Sequence, residues 1–299
     1  MANLIIAGTI GLDNIEAPFG KVERTLGGSG TFAATAASYF TDSALVSIAG
    51  LDFPDQYSKF LESRKIDLTG VEKKGETFAW SGFYEFDMNE AQTKETKLNS
   101  LASFDPELPD SYKDASFLFL ANIDPTVQLS ILKQMRGKPF VVADTMDYWI
   151  GSKKAELLEV IKKVNLIVLN EGEARQLFNE PNLIKAGKKL LELGPEYAVI
   201  KKGEHGALLF SLKGYFSAPG YPLEELKDPT GCGDSFAGGM IGYLAKTNDT
   251  TFDNIKKAVV YGSAVASCCA EDFSVNYTKN IQYKDIKERY DVFKQIREF

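Results

Sequence analysis

Histidine is nearly missing from this chain: His205 is the only one in 299 residues. A multi-histidine metal centre is therefore excluded. A Ser-His-Asp hydrolase would have to use a residue set between Glu204 and Gly206, where the sequence reads as a turn. Cysteine is scarce as well. Cys232, Cys268 and Cys269 form an odd set with two neighbours, which is no disulfide framework, and neither CxxC nor a Cys/His zinc spacing occurs. That usage points to a reducing compartment. No apolar run approaches the ~18 residues of a membrane span, and Leu4-Ile5-Ile6-Ala7 is too short for a signal-peptide core. Basic residues are outnumbered, 34 against 41 acidic, and the net charge of −7 does not suit a general nucleic-acid binder. No Gly-x-x-x-x-Gly-Lys-Ser/Thr occurs, and the first strand leads into Gly8-Thr9-Ile10-Gly11-Leu12-Asp13 rather than Gly-x-Gly-x-x-Gly. An ordinary P-loop protein and a dinucleotide oxidoreductase are both disfavoured. These absences predict a soluble, cytoplasmic protein with no nucleic-acid or membrane partner.

With 44% hydrophobic and 25% charged residues the chain can bury a sizeable core. Leu4–Gly8, Ala44–Ala49, Phe117–Ala121, Phe140–Ala143, Leu166–Leu169, Ala198–Ile200 and Ala207–Phe210 read as buried strands. Pro125–Met135, Ala155–Lys163, Ile184–Leu193, Asp234–Lys246 and Phe252–Ala270 read as helices, the last two rich in small residues that permit close packing. Alternation on this scale predicts an α/β fold with a mainly parallel sheet and helices on both faces, its site at the carboxyl ends of the strands. Phe78–Phe86 breaks the rhythm: Phe78, Trp80, Tyr84 and Phe86 recur at period two, and polar residues follow to Lys97. This reads as an antiparallel ribbon, a small lid over a pocket. No repeat or linker marks a second domain.

The most informative stretch is Asp228-Pro229-Thr230-Gly231-Cys232-Gly233-Asp234. Its glycines let consecutive N–H groups converge, and a helix starting there adds positive partial charge, which together suit an anion such as a phosphate in transfer. Asp234 would stand beside that spot as a base; read alone, it is equally an ordinary helix N-cap. Asn170-Glu171-Gly172-Glu173 follows a strand directly and could hold a hydrated magnesium ion, or simply complement a helix dipole. Lys202-Gly203-Glu204-His205-Gly206 lies between two apolar runs and reads as a tight turn. The three elements are evenly spaced, so they could line one rim.

Taken together, these residues resemble the ribokinase-like (PfkB) carbohydrate kinase family. Asp228–Asp234 is similar to its Asp-Thr-x-Gly-Ala-Gly-Asp, with Pro229 and Cys232 as variants; Asn170-x-x-Glu173 is similar to its Asn-x-x-Glu, and Lys202-Gly203-x-x-Gly206 to its Lys-x-Gly-x-x-Gly. Gly27-Gly28-Ser29-Gly30 resembles its amino-terminal glycine pair, and the likeness runs from Leu4 to about Val275. The resemblance implies a three-layer α/β/α sandwich over residues 1–299, with lid segments at about 12–26 and 72–100 that are a candidate homodimer interface. It implies a kinase that uses ATP and Mg²⁺ to phosphorylate a hydroxyl of a sugar or nucleoside. Asp234 is then the general base, the amides of Gly231, Cys232 and Gly233 the anion hole, and Asn170, Lys202, Gly203 and Gly206 the nucleotide border. Glu173 holds magnesium through water, Asp228 a monovalent cation such as K⁺, and Asp13, Gly27, Gly28 and Ser29 the acceptor.

Where ribokinases read Gly-Gly-Lys-Gly-Ala-Asn, this chain has Gly27-Gly28-Ser29-Gly30-Thr31-Phe32. Two polar partners of a sugar are gone, which weakens ribose as the acceptor. Phe32, with Trp80 and Tyr84 on the lid, would suit stacking on a flat base, so a nucleoside is the alternative acceptor. A non-catalytic nucleotide-binding regulator is the competing class, although retention of Asp234, Glu173 and the glycines speaks against it. A phosphosugar kinase should carry more than Lys21 and Arg24 near the acceptor.

Overall fold

The computed structural model describes residues 2–296. All seven apolar runs expected as strands form strands. The chain opens with β1 (Leu4–Ala7), β2 (Gly11–Ala17), β3 (Gly20–Gly27), α1 (Ser29–Ala37), β4 (Ser43–Ala49), α2 (Asp55–Ser63) and β5 (Ile66–Lys73). Next come β6 (Phe78–Tyr84), β7 (Ala91–Lys97), β8 (Phe117–Leu120), α3 (Pro125–Gln134), β9 (Phe140–Ala143), α4 (Asp147–Ser152) and α5 (Lys154–Ile161). β10 (Leu166–Asn170), α6 (Glu171–Phe178), α7 (Leu183–Glu192), β11 (Tyr197–Lys201), β12 (Ala207–Ser211) and β13 (Gly214–Ala218) lead to the final helices, α8 (Cys232–Thr247), α9 (Phe252–Cys269) and α10 (Tyr283–Ile296).

The main sheet has nine strands in the order β13-β12-β11-β10-β9-β8-β1-β4-β5. From β5 to β11 the strands are parallel, whereas β12 runs antiparallel to both of its neighbours, β11 and β13. Successive side chains of a strand leave on opposite faces, so a run such as Leu4-Ile5-Ile6-Ala7 must be apolar throughout to be covered on both sides. Leu4 and Ile6 pack with Phe32 of α1 and Met240 and Ile241 of α8, while Ile5 and Ala7 pack with Ile131 of α3 and Leu157 of α5. The architecture is therefore α/β/α in three layers. After β1 the main sheet grows first through β4 and β5 on one side, then through β8 onward on the other. In α/β sheets a reversal of this kind, here at the carboxyl end of β1, is where ligands bind.

β3-β2-β6-β7 form a separate four-stranded sheet, with β6 parallel to β2 and antiparallel to β7. Residues 72 and 73, expected in the second lid segment, close β5 in the main sheet instead, and the chain rejoins the small sheet at Phe78. Trp80 and Tyr84 pack inward against the cluster of Ile15, Ala17, Met88 and Phe273. Phe86, expected on the same face, lies past the strand end and is 90% exposed. Arg24 of the lid pairs with Asp52 of the body at 3.1 Å, and Asp52 accepts from the Thr77 N–H and hydroxyl, both at 2.8 Å. Among the described residues no helix is long and apolar enough to cross a membrane.

The depth of α8 decides where its amino terminus ends up, and glycines set that depth. A Cβ on Gly238 would lie 2.2 Å from the Ala33 carbonyl oxygen of α1, and one on Gly242 would lie 2.8 Å from the Ala37 Cα. Alanine is the better helix former by about 1 kcal/mol, but an overlap with rigid backbone outweighs that gain. Gly238→Ala is expected to destabilise the protein by about 1–3 kcal/mol, seen as a lower midpoint in thermal unfolding. A midpoint equal to or above the parent's would mean that α1 and α8 do not meet this closely.

Candidate active site

α8 starts without a side-chain cap. Gly231 supplies the turn into it, at φ 77° and ψ 0°, a left-handed conformation that glycine adopts freely. Its Cα rests on the Phe32 ring, where an added Cβ would come within 2.4 Å. Phe32 is thus a buried floor beneath the turn, 3% exposed, and not the stacking wall that the sequence implied. The Cys232 N–H is already given to the Pro229 carbonyl at 3.1 Å. Those of Gly231, Gly233 and Asp234 have no protein acceptor among the described residues. Of the three amides expected to form an anion hole, two are therefore free, and Asp234 adds its own. Unspent N–H groups at a helix start make an anion site.

Asp13 occupies the facing wall. It lies on β2 and is 4% exposed; Gly28 N–H donates to its carboxylate, while Oδ1 has no partner. Gly27 is obligatory beside it, since a Cβ there would stand 1.9 Å from Asp13 Oδ2. Gly28 (φ 95°) then turns the chain into α1, whose first residue, Ser29, donates its hydroxyl to the Asn122 carbonyl at 2.8 Å. The four residues expected around an acceptor are contiguous in space.

On the other flank the strand ends deliver charge. Val199 packs toward the α8 face and Ile200 toward the opposite one, so alternation turns Lys201 to the α8 side. Its Nζ meets Asp144 Oδ2 at 2.8 Å and would lie 3.1 Å from a Cβ on Gly233. The lysine that reaches the site is Lys201, whereas Lys202 closes the following turn through its N–H to the Gly206 carbonyl at 2.8 Å. Gly206 is forced (φ 84°; a Cβ would meet the Ala218 carbonyl at 2.1 Å), and Gly203 is exposed at the rim. Asn170 and Glu173 form a reciprocal capping box: Asn170 Oδ1 accepts from Glu173 N at 2.8 Å, and Glu173 Oε2 accepts from Asn170 N at 2.7 Å. Sequence reasoning missed Lys201 and Asp144. The signal for both was the residue that ends an apolar run, Ile200-Lys201 and Ala143-Asp144.

Crowded carboxylates shape the electrostatics. Burial, with Asp228 and Asp234 nearby, pushes Asp13 up to about 7. Burial and Asp144 push Asp234 to about 7 against the opposing pull of Lys201. Asp228 is raised to about 6 by burial, partly offset by its bonds to Thr230; its Oδ2 is buried with no partner. Burial lifts Glu173 above the usual carboxylate range. Burial also works against the charge on Lys201, but Asp144 and Glu173 outweigh it and hold the ammonium protonated. The arrangement can take a proton near neutral pH beside free N–H donors and one fixed cation.

The chain is similar to known kinases in sequence and in fold. The family model described as pfkB family carbohydrate kinase matches residues 12–281. A cytidine kinase of Thermococcus kodakarensis is 31% identical over 252 residues, covering 81% of this chain and 89% of that protein. In structure, the nucleoside kinase of Methanocaldococcus jannaschii superposes with a TM-score of 0.77 at 20% identity, covering 97% of this chain and 98% of that one. A candidate ribokinase II of E. coli, solved with ATP and Mg²⁺, reaches 0.81 at 16% identity over 98% of this chain and 100% of its own.

Asp13 makes the electrostatics testable. Its folded value of about 7 lies above the ordinary 3.8. Between those values the unfolded chain releases a proton that the folded chain keeps, so stability falls as pH rises and levels off above about 7. Asp13→Asn removes that penalty. Its thermal midpoint relative to the parent is expected to climb from pH 4 to 7 and then stay flat, whereas a constant difference would show Asp13 to be unshifted.

Proposed function

The chain belongs to the pfkB family of carbohydrate kinases, and from that premise we propose that it transfers the γ-phosphoryl group of ATP to a hydroxymethyl group of a nucleoside, with Asp234 as general base. It is a phosphotransferase of the sugar and nucleoside kinase class. One observation supports the finer reading: the Asp234 carboxylate lies at the start of α8 with the free N–H groups of Gly231, Gly233 and Asp234, close enough to Asp13 to raise its pKa. The nucleoside is favoured over ribose by the cytidine-kinase relative, and ribose is disfavoured by the loss of a ribokinase's lysine and asparagine, where Ser29 and Phe32 stand.

In this account the acceptor lies against Asp13, Gly28 and Ser29, its hydroxyl directed at Asp234. The oxygen attacks in line as its proton passes to Asp234, whose raised pKa lets it accept that proton near pH 7. The charge of the moving phosphoryl group falls on the α8 amides and Lys201. Thr230 donates to the Tyr84 hydroxyl at 3.1 Å, tying the lid to the loop before α8 and helping to exclude water.

The residues present fit two cations. Glu173 has one carboxylate oxygen outside its capping box, near Asp144, which suits a magnesium ion that keeps most of its waters. When bound, magnesium would neutralise the β- and γ-phosphates. The orphaned Oδ2 of Asp228 suits a monovalent cation such as K⁺.

Asp234→Asn is expected to lower kcat by about 10²–10⁴ while ATP affinity, measured by calorimetry, is kept. In the parent enzyme kcat/KM should rise with pH to a plateau, its limb near 7. Near-parental turnover by Asp234→Asn would refute the assignment.

A further inference from the structure

The carboxyl end of β8 adjoins that of β1, at the reversal in strand order where the crevice lies. Asn122 stands there, half-buried, its carbonyl bound to the Ser29 hydroxyl at 2.8 Å and so in direct contact with the acceptor wall. Trp149 of α4, after the next strand, donates its indole N–H to Asn122 Oδ1 at 3.0 Å, and Asn122 Nδ2 faces the Met146 sulfur at 3.2 Å. An indole N–H can only donate, so the amide atom it meets must be oxygen. The asparagine cannot flip without setting two donors against each other. A thioether is a weak acceptor, and a carbonyl oxygen has two lone pairs. One oxygen lone pair and one N–H of Asn122 therefore remain to be satisfied. The neighbouring Lys153 is already paired with Asp124 at 2.6 Å.

Resting on the nucleoside-kinase reading, we infer that Asn122, oriented by Trp149, reads the base of the acceptor and selects amino-substituted bases, cytosine or adenine, over their keto counterparts. On an amino base, an exocyclic N–H₂ donor lies next to a ring-nitrogen acceptor. A fixed amide can accept from the first and donate to the second. On uracil or hypoxanthine the same two positions present an acceptor and a donor, the reverse order. The sugar, held at Asp13, fixes which ring atoms face Asn122, so an amide that cannot turn must prefer one pattern. Asparagine discriminates adenine in nucleic acids by the same bidentate logic.

The test compares kcat/KM for cytidine, uridine, adenosine, inosine and free ribose in the parent, Trp149→Phe and Asn122→Ala. The parent is expected to favour cytidine over uridine, and adenosine over inosine, by about tenfold or more. Trp149→Phe keeps a flat ring but frees the amide, so both ratios should collapse toward one. Asn122→Ala should abolish the preference as well, and thermal unfolding checks that each variant is folded. A keto preference in the parent, or ratios unchanged in folded Trp149→Phe, overturns the inference while leaving a nucleoside kinase. Phosphorylation of ribose but of no nucleoside overturns the nucleoside reading, and this inference with it.

Discussion

A carboxylate at the start of a helix whose N–H groups have nothing in the protein to bind is the constraint on which the rest of this structure depends. Asp234 is held there although burial and Asp144 oppose its ionisation. The turn that exposes the amides needs Gly231 in a left-handed conformation over Phe32, and α8 reaches the crevice only because Gly238 and Gly242 let it sink onto α1. A sequence chosen for stability alone would neutralise that acid. The fold gives up stability at this position in order to keep a base and an anion site together.

The same economy explains the opposite wall. Gly27 has no side chain because Asp13 fills its place, and Gly28 turns into α1 so that a second helix start faces the crevice. Lys201 stands between Asp144 and the first turn of α8 and offsets part of the negative charge. Cations are proposed for two of the remaining carboxylates, Glu173 and Asp228. On the proposed function, what looks unfavourable in the protein alone would become favourable with a triphosphate and its counter-ions bound.

The layered fold was legible in the sequence because each buried strand must be apolar on both faces, and few runs of this chain satisfy that condition. The glycine motif was legible for a similar reason: no other residue fits the space at Gly27, Gly231 or Gly206. Lys201 was not, because Lys201 and Lys202 are alike as letters and only the alternation of β11 decides which one turns inward. Phe32 was misread because an aromatic beside a glycine pair can be wall or floor, and the contact with Gly231, far away in the chain, makes it floor. The pairing of Asn122 with Trp149 joins the end of β8 to a helix that follows the next strand, a relation that local pattern does not encode.

The central claim concerns where the phosphoryl group lies during transfer. The most direct measurement is a crystal structure of the protein with ADP, magnesium, cytidine and aluminium fluoride, which mimics the moving group. The account predicts a planar fluoride within hydrogen-bond distance of the Gly231, Gly233 and Asp234 N–H groups, with the Asp234 carboxylate on the nucleoside hydroxyl. A fluoride bound away from the start of α8, or an acceptor hydroxyl that does not touch Asp234, would contradict it.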